Sequence, residues 1–142
     1  MALGIMIPKG YGYVVLDLVT YVFLHTWMEI QLGKARRKYN VPYPNLYAVE
    51  SENQEPFNWV VRGHQNSIEL MPIFFVMLLV GGLKHPLISA GLGALYIISR
   101  FFYFKVDSTD NRLGLMGYSF LALMGIIICT ASLGINLCSS GM

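Results

Sequence analysis

The chain has 142 residues, of which 55% are hydrophobic and only 13% are charged. A soluble domain carries about a quarter charged residues, so this composition, with a mean hydropathy of +0.52, indicates a membrane protein. The net charge of +2 and the lack of a long basic tract argue against nucleic acid as a partner. Two cysteines are too few for a disulfide framework, and no Cys/His cluster along the sequence has metal-ligand spacing, so no metal is expected.

Four apolar segments are each long enough to cross a bilayer, which takes about 20 residues of α-helix. They cover about residues 11–32, 58–83, 86–104 and 113–137. The sequence therefore predicts an all-α membrane protein, a four-helix transmembrane bundle, formed as a single integral membrane domain over residues 1–142.

The first span carries a polar stripe of His25, Glu29 and Arg36, with Asp17 at its edge. Hydrogen bonds between helices explain such a stripe most simply. A proton path in a small proton-coupled transporter is the alternative, because ionisable residues inside a membrane mark such paths. The connection that follows, residues 33–57, is long and contains proline and tyrosine, which predicts an ordered cover over a functional region.

The second span opens with the most informative segment of the chain, residues 62–69. At about 100° per residue, Arg62, Asn66 and Glu69 lie within about 60° of one another, with Gln65 beside them and His64 about 160° from Arg62. An ionisable cluster on one face of a membrane helix indicates a functional site turned away from lipid. The alternative is a polar face that only joins helices. Pro72, one turn beyond Glu69, predicts a kink.

The third and fourth spans add polar residues near the same membrane face. A tight turn at residues 84–86 makes the second and third spans antiparallel neighbours, and its proline suits the first turn of a helix. Tyr96, Arg100 and Tyr103 follow at i, i+4 and i+7 on one face of the third span. Arg112 stands just before the fourth. Basic residues concentrate in the first and third connections, so the positive-inside rule predicts that these face the cytosol.

The predicted cytosolic half of the bundle thus combines several arginines with one carboxylate, amides and tyrosines. Arginine binds carboxylates through two parallel hydrogen bonds, and a glutamate can pair an ammonium group. Such a set suits a small zwitterionic anion. Glutathione, with two carboxylates, one ammonium group and a thiol, fits it well.

Four sequence segments resemble the MAPEG family (membrane-associated proteins in eicosanoid and glutathione metabolism), and within it most closely the microsomal glutathione transferases of type 3. The most specific segment, with its Arg-x-x-Gln-Asn-x-x-Glu pattern and downstream proline, is FNWVVRGHQNSIE at 57–69. The other three are KARRKYNVPYP at 34–44, GGLKHP at 81–86 and SRFFYF at 99–104. The four occur in family order between residues 34 and 104.

The resemblance implies a homotrimer with three glutathione sites between neighbouring protomers. Arg112 would be the catalytic residue that stabilises the glutathione thiolate, and Arg37 would assist at the second-substrate end. The residues implied in glutathione binding are Arg36, Arg62, His64, Gln65, Asn66, Glu69, Arg100 and Tyr103. Segment 105–112 departs from the family pattern, because it is a few residues shorter and lacks a second tyrosine and a proline, which bears on the position of Arg112.

The implied function is that of a glutathione-dependent transferase and peroxidase, with glutathione as co-substrate and no metal. Its partners would be a lipophilic electrophile or lipid hydroperoxide, membrane lipid and two further copies of the chain. The resemblance places it in the endoplasmic reticulum or the mitochondrial outer membrane, as a multi-pass protein whose active site faces the cytosol. A non-catalytic lipid-binding scaffold of the same family is the alternative that the shortened 105–112 segment keeps open.

Overall fold

A computed structural model describes residues 7–42, 45–48, 51–106 and 109–141, with only the backbone considered for 51–55 and 109–110. The chain forms four helices, and each is long and apolar enough to cross a membrane. They are α1 (Tyr11–Tyr39), α2 (Ser51–Gly81), α3 (Pro86–Lys105) and α4 (Thr109–Ser139). The predicted all-α fold with four spans is confirmed, whereas assembly into a homotrimer stays a prediction.

Two helices extend well beyond the predicted spans. α1 continues to Tyr39 rather than ending near residue 32, and α2 begins at Ser51 rather than near residue 58. Hydropathy marks only the part of a helix that lies in lipid, and lysine and arginine are good helix formers that continue it into water. α1 ends at Asn40, whose left-handed backbone (φ 56°) directs its N–H to the carbonyl of Arg36. The predicted connection at 33–57 is therefore corrected to residues 40–50.

The described part of this short connection packs against α2. The backbone N–H of Ala48 donates to Oδ1 of Asn58 at 2.8 Å, and Val41 and Ala48 are both buried. The described residues of the connection are thus packed, residues 43–44 and 49–50 lie outside them, and a cover over a functional region stays a prediction. α2 is helical on both sides of Pro72, and the kink there stays a prediction.

Aromatic side chains fill the middle of the bundle. The rings of Phe74 on α2 and Tyr96 on α3 stack with centroids 4.2 Å apart, and Tyr21 on α1 lies 5.3 Å from Phe74. The Tyr21 hydroxyl donates to the carbonyl of Ser67 at 3.2 Å, which ties α1 to α2 at the depth of the polar segment. This packing holds three helices in fixed rotation about their axes, and so determines which side chains can meet.

The two ends of the bundle differ in character. We call the end where α1 and α3 finish, which holds Arg36, Arg100 and Arg112, the arginine end. The turn end is the opposite one, with the turn at residues 82–85. There, Lys84 Nζ donates to Ser132 Oγ at 3.0 Å, and His85 Nε2 lies 3.2 Å from the same hydroxyl. Pro86 occupies the first turn of α3 as predicted.

Candidate functional site

Arg100 lies at the centre of the arginine end and is fully buried. Its Nη2 donates to Oδ1 of Asn66 at 2.6 Å and to Oγ of Ser67 at 3.0 Å, both on α2. Among the described residues no carboxylate lies within salt-bridge distance of this guanidinium, and its Nη1 has no hydrogen-bond partner. A buried cation held only by neutral groups favours an anion nearby.

Tyr103, one turn further along α3, joins Arg100 to a second buried arginine. The guanidinium carbon of Arg100 lies 4.1 Å from the centre of the Tyr103 ring, and that of Arg112 lies 4.8 Å from it. Both are within the distance at which a cation interacts with the face of an aromatic ring. The structure therefore brings Asn66, Arg100, Tyr103 and Arg112 together from three helices.

Arg112, on the first turns of α4, binds the backbone of two other helices. Its Nε donates to the carbonyl of Tyr103 at 3.1 Å, and its Nη1 donates to the carbonyl of Trp59 at 2.9 Å. A longer contact, 3.5 Å, joins Nη2 to the carbonyl of Phe104. The carbonyls at the end of α3 carry partial negative charge, which attracts the guanidinium. The short 105–112 segment thus brings Arg112 against the end of α3.

The polar stripe on α2 faces partly out of the protomer. Arg62 and Glu69 are exposed, and Gln65 and Asn66 are half-buried. All four lie within a helix apolar enough to span a membrane. Exposed charges on such a helix need cover by water, a ligand or another protein surface, because lipid solvates them poorly.

The two arginines of α1 occupy different environments. Arg36 is buried, and its Nη1 donates to the carbonyl of Val41 at 3.2 Å and to that of Asn45 at 2.5 Å. Its guanidinium also lies 5.4 Å from the centre of the Phe57 ring. Arg36 thus holds the first connection to the ends of α1 and α2, while Arg37 is exposed.

His64 lies on the opposite side of α2 from Arg62, as the helical angle predicts. It is buried and faces His25 and Glu29 of α1, with its Nε2 3.9 Å from Oε1 of Glu29. The sequence shows no metal-ligand cluster along the chain, yet the fold places three side chains of ligand type together in space. Helix packing, rather than sequence spacing, creates this group.

A groove of about 310 Å³ opens between α1, α2 and α3 at the arginine end. Its walls include the apolar side chains of Trp27, Val60 and Phe104, and its rim carries Lys34 and Lys105. An apolar floor with a positive rim suits an amphipathic molecule that has an anionic or electron-rich end.

Sequence reasoning missed three residues that lie against Arg100 or Arg112. Ser67 accepts hydrogen bonds from Arg100, and the ring of Trp59 lies 3.8 Å from the guanidinium carbon of Arg112. Gly63 leaves the space that Arg112 occupies. All three lie within residues 62–69 of α2 or one turn before them. The small and aromatic residues beside the charged ones could therefore have indicated which side chains contact the arginines.

Two buried guanidiniums close to the Tyr103 ring favour an anion at this end of the bundle, where the exposed groups of α2 can contact its polar ends. Comparison with known proteins gives an independent view. Residues 14–132 match the sequence model of the MAPEG family.

Named relatives extend this match. The chain is 31% identical to microsomal glutathione S-transferase 2 of Bos taurus over 110 residues, which cover 72% of each chain. It is 31% identical to the Homo sapiens protein of the same name over 112 residues, 78% of this chain and 73% of the relative. The Mus musculus protein is 37% identical over 86 residues, 58% of this chain. These relatives carry the type 2 name, so the resemblance to type 3 stays a prediction.

Proposed function

Because this chain belongs to the MAPEG family, and its relatives are named glutathione S-transferases, we propose that it is a glutathione-dependent membrane transferase with peroxidase activity. The observation that carries the proposal is the pair of buried guanidiniums, Arg100 and Arg112, which both lie within 4.8 Å of the centre of the Tyr103 ring. Within the part of the chain that the structure describes, no carboxylate lies within salt-bridge distance of either guanidinium, and two buried cations in such surroundings favour an anionic ligand.

Glutathione supplies charges that match those of the α2 stripe. Arg62 would pair one of its carboxylates through two hydrogen bonds, and Glu69 would pair its ammonium group. Gln65 and Asn66 would add neutral contacts, whereas His64, which the resemblance also implied, lies on the other side of α2 and faces α1. Since Arg62 and Glu69 face out of the protomer, the site would be completed by a neighbouring copy, with Arg36 of that copy at its edge. This arrangement supports the proposed homotrimer.

Arg112 would supply the catalytic step. A free thiol has a pKa of about 8.5, so only a few per cent is thiolate at neutral pH. A guanidinium against the sulfur stabilises the thiolate and lowers that pKa, by about 1.4 kcal/mol for each unit. The 3.5 Å contact of Nη2 with the Phe104 carbonyl is the weakest bond of Arg112, and the thiolate would replace it.

The thiolate would then react with a lipophilic partner. Attack on an electrophilic carbon forms a carbon–sulfur bond while the bond from that carbon to its leaving group breaks, and the leaving group departs with the electron pair. Attack on the outer oxygen of a hydroperoxide breaks the oxygen–oxygen bond, releases an alkoxide that takes a proton from water, and leaves glutathione sulfenic acid. A second glutathione then converts the sulfenic acid to the disulfide and water. The groove lined by Trp27, Val60 and Phe104 offers an apolar path from the bilayer. Arg37 would assist at its outer end.

The protein would act in an intracellular membrane, that of the endoplasmic reticulum or the outer membrane of mitochondria, with the arginine end toward the cytosol. The support for this orientation is the concentration of basic residues at that end of the bundle.

One observation favours a second function, that of a lipid-binding scaffold. Arg112 is occupied by three backbone carbonyls, and Arg36 by two. In a scaffold these arginines would only hold helix ends and the first connection in place, and no thiolate would form.

Ultraviolet thiolate absorbance during a glutathione titration tests the proposal. The purified protein in detergent at neutral pH should show a saturable rise, which Arg112→Ala abolishes. Arg112→Lys, which keeps the charge but loses the planar fork, should reduce the rise while preserving the fold. Lys9→Met, which removes an exposed cation at the turn end, is the matched control. No rise in a folded wild-type protein would support the scaffold, and a rise that survives both Arg112 variants would assign the thiolate to another cation.

A further inference from the structure

A separate cluster of ionisable side chains lies between α1 and α2, on the side of α2 away from Arg62. His25 and Glu29 stand one helical turn apart on α1, and His64 faces them from α2. His25 Nε2 is 3.4 Å from Glu29 Oε1, and His64 Nε2 is 3.9 Å from the same oxygen. The possible ligand atoms of the three residues all lie within 4.8 Å of one another.

His64 lacks a partner for its inward nitrogen. The residue is only 6% exposed, and its Nε2 has no hydrogen bond to the described part of the chain. The distance of 3.9 Å to Glu29 is too long for a hydrogen bond. The rings of His25 and His64 lie 5.3 Å apart and nearly parallel, at 24°. A proton shared by His25 and Glu29 would satisfy that pair, but it would leave His64 unpartnered.

We propose that His25, Glu29 and His64 bind a zinc ion. Two imidazole nitrogens and one carboxylate oxygen form a ligand set typical of zinc, with three protein ligands and one open position. Zinc bonds of about 2.1 Å in tetrahedral geometry separate neighbouring ligand atoms by about 3.4 Å. Two of the observed separations, 3.4 and 3.9 Å, lie near this value, and all three lie within 4.8 Å, so side-chain rotation of His64 and Glu29 would bring the three atoms onto one ion.

The position of the cluster allows an ion to reach it. The side chain of Glu29 is 59% exposed and that of His25 is 25% exposed, so the open coordination position faces out of the protomer. Glu29 precedes Arg36 by seven residues, which corresponds to about 10 Å along the helix. The site therefore lies in the arginine half of the bundle, near the end where water meets the membrane.

Zinc at this position would link α1 to α2 next to the polar stripe. His64 is two residues from both Arg62 and Asn66, so its coordination would fix the rotation of α2 there. The inference does not depend on the proposed function, because the site uses no group of glutathione. It is tested without glutathione, whose thiol would itself bind zinc.

The experiment is a titration of tag-free, detergent-solubilised protein with zinc chloride, in which calorimetry measures the binding. Cobalt chloride serves as a second probe, because its visible absorption reports tetrahedral coordination. We expect one ion per chain. His25→Gln, Glu29→Gln and His64→Gln should each weaken binding more than the roughly 10- to 100-fold that loss of an outer hydrogen-bond partner causes. His85→Gln, the remaining histidine, and Cys138→Ser, the exposed thiol, should leave it unchanged.

Thermal unfolding separates binding from folding. Zinc should raise the melting temperature of the wild-type protein and of the two control variants, but of none of the three cluster variants, all of which should remain folded without zinc. Absence of saturable binding by the wild type would overturn the proposal. So would binding that survives in folded Glu29→Gln and His25→Gln, or binding that is lost in His85→Gln or Cys138→Ser.

Discussion

A Cβ atom added to Gly63 would lie 2.7 Å from Nη2 of Arg112 and 3.3 Å from its Cζ. Glycine on α2 therefore provides the space that a guanidinium from α4 occupies. The neighbouring wall is the Phe104 ring, whose Cδ1 would also lie 3.3 Å from the added atom. The position of the proposed catalytic group thus depends on a residue that has no side chain.

We predict that Gly63→Ala displaces the guanidinium of Arg112 without unfolding the protein, because the nearest atom belongs to the flexible end of a side chain. Glutathione thiolate absorbance should fall severalfold. Gly117→Ala on α4, where an added Cβ meets nothing within 4 Å, is the control. It should keep full absorbance and gain about 0.5–1 kcal/mol of stability from the better helix former. Unchanged absorbance in Gly63→Ala would show that thiolate formation tolerates a displaced guanidinium.

Ser67→Ala should destabilise the protein by about 1.5–3 kcal/mol, because Arg100 loses an acceptor for hydrogen bonds from Nε and Nη2 and remains buried. Chemical denaturation of a double-mutant cycle with Arg100→Met measures this coupling. In the Arg100→Met background, Ser67→Ala should cost much less, since no buried charge is left unpaired. Equal costs in both backgrounds would mean that Ser67 acts only through its own bond to the Gly63 carbonyl.

The fluorescence of Trp59 should report glutathione binding. Its ring lies 3.8 Å from the guanidinium carbon of Arg112, and its Nε1 donates to the carbonyl of Val106 at 2.7 Å. In a Trp27→Phe background only this tryptophan remains, because the chain has two. We expect a saturable change in emission as glutathione is added. Emission that stays constant while glutathione binds by calorimetry would place the ligand away from Arg112.

Glu69→Gln and Arg62→Gln should each weaken glutathione binding at least about tenfold, since each removes a charge-assisted hydrogen bond. Both side chains are exposed, so stability without glutathione should change by less than about 0.5 kcal/mol. Lys9→Gln, an exposed cation at the turn end, is the control for charge alone.

Native mass spectrometry should give three chains per particle. A monomer that binds glutathione with full affinity would contradict a site shared between protomers.

Asp17→Ala should stabilise the protein by about 1 kcal/mol. Asp17 Oδ2 is buried against Gly93 and has no hydrogen-bond partner among the described residues, and an unpaired buried polar group opposes folding. Thr20→Ala, exposed on the same helix, measures the contribution of helix propensity alone. Transferase activity should be unchanged in Asp17→Ala. A loss of activity with a retained fold would instead support the proton path considered for a transporter.

The sequence predicted most where a local rule governs the structure. The start of α3 at Pro86 was predicted correctly, because proline favours the first helical turn. The ends of α1 and α2 at Tyr39 and Ser51 were missed, because hydropathy cannot detect helix that continues outside lipid. The grouping of Arg62, Asn66 and Glu69 followed from helical angles alone.

Contacts between side chains of different helices could not be predicted from the sequence. Nothing in the spacing indicates that Ser67 meets Arg100 or that Trp59 covers Arg112, since both depend on how far each helix is rotated and shifted against its neighbour. Arg36 illustrates the same limit: the resemblance implies a glutathione contact, which stays a prediction, and nothing in the sequence indicated that its guanidinium binds the carbonyls of Val41 and Asn45. The family resemblance supplied candidates for the residues of the site, but it did not indicate which other side chains contact them.

The turn end has a mechanical consequence for the whole bundle. Lys84 and His85 both bind Ser132, Tyr11 donates to the carbonyl of Leu79, and Thr130 donates to that of Met77. Two helices, α1 and α4, are thus fastened to α2 or to the turn that follows it, at one end of the bundle. If the helices separate at the arginine end to admit a bulky molecule, they rotate about these contacts at the turn end. The displacement of each helix then increases with distance from the turn end. Loss of the Ser132 contacts with Lys84 and His85 would therefore change how far the helices move at the arginine end, almost a full membrane thickness away.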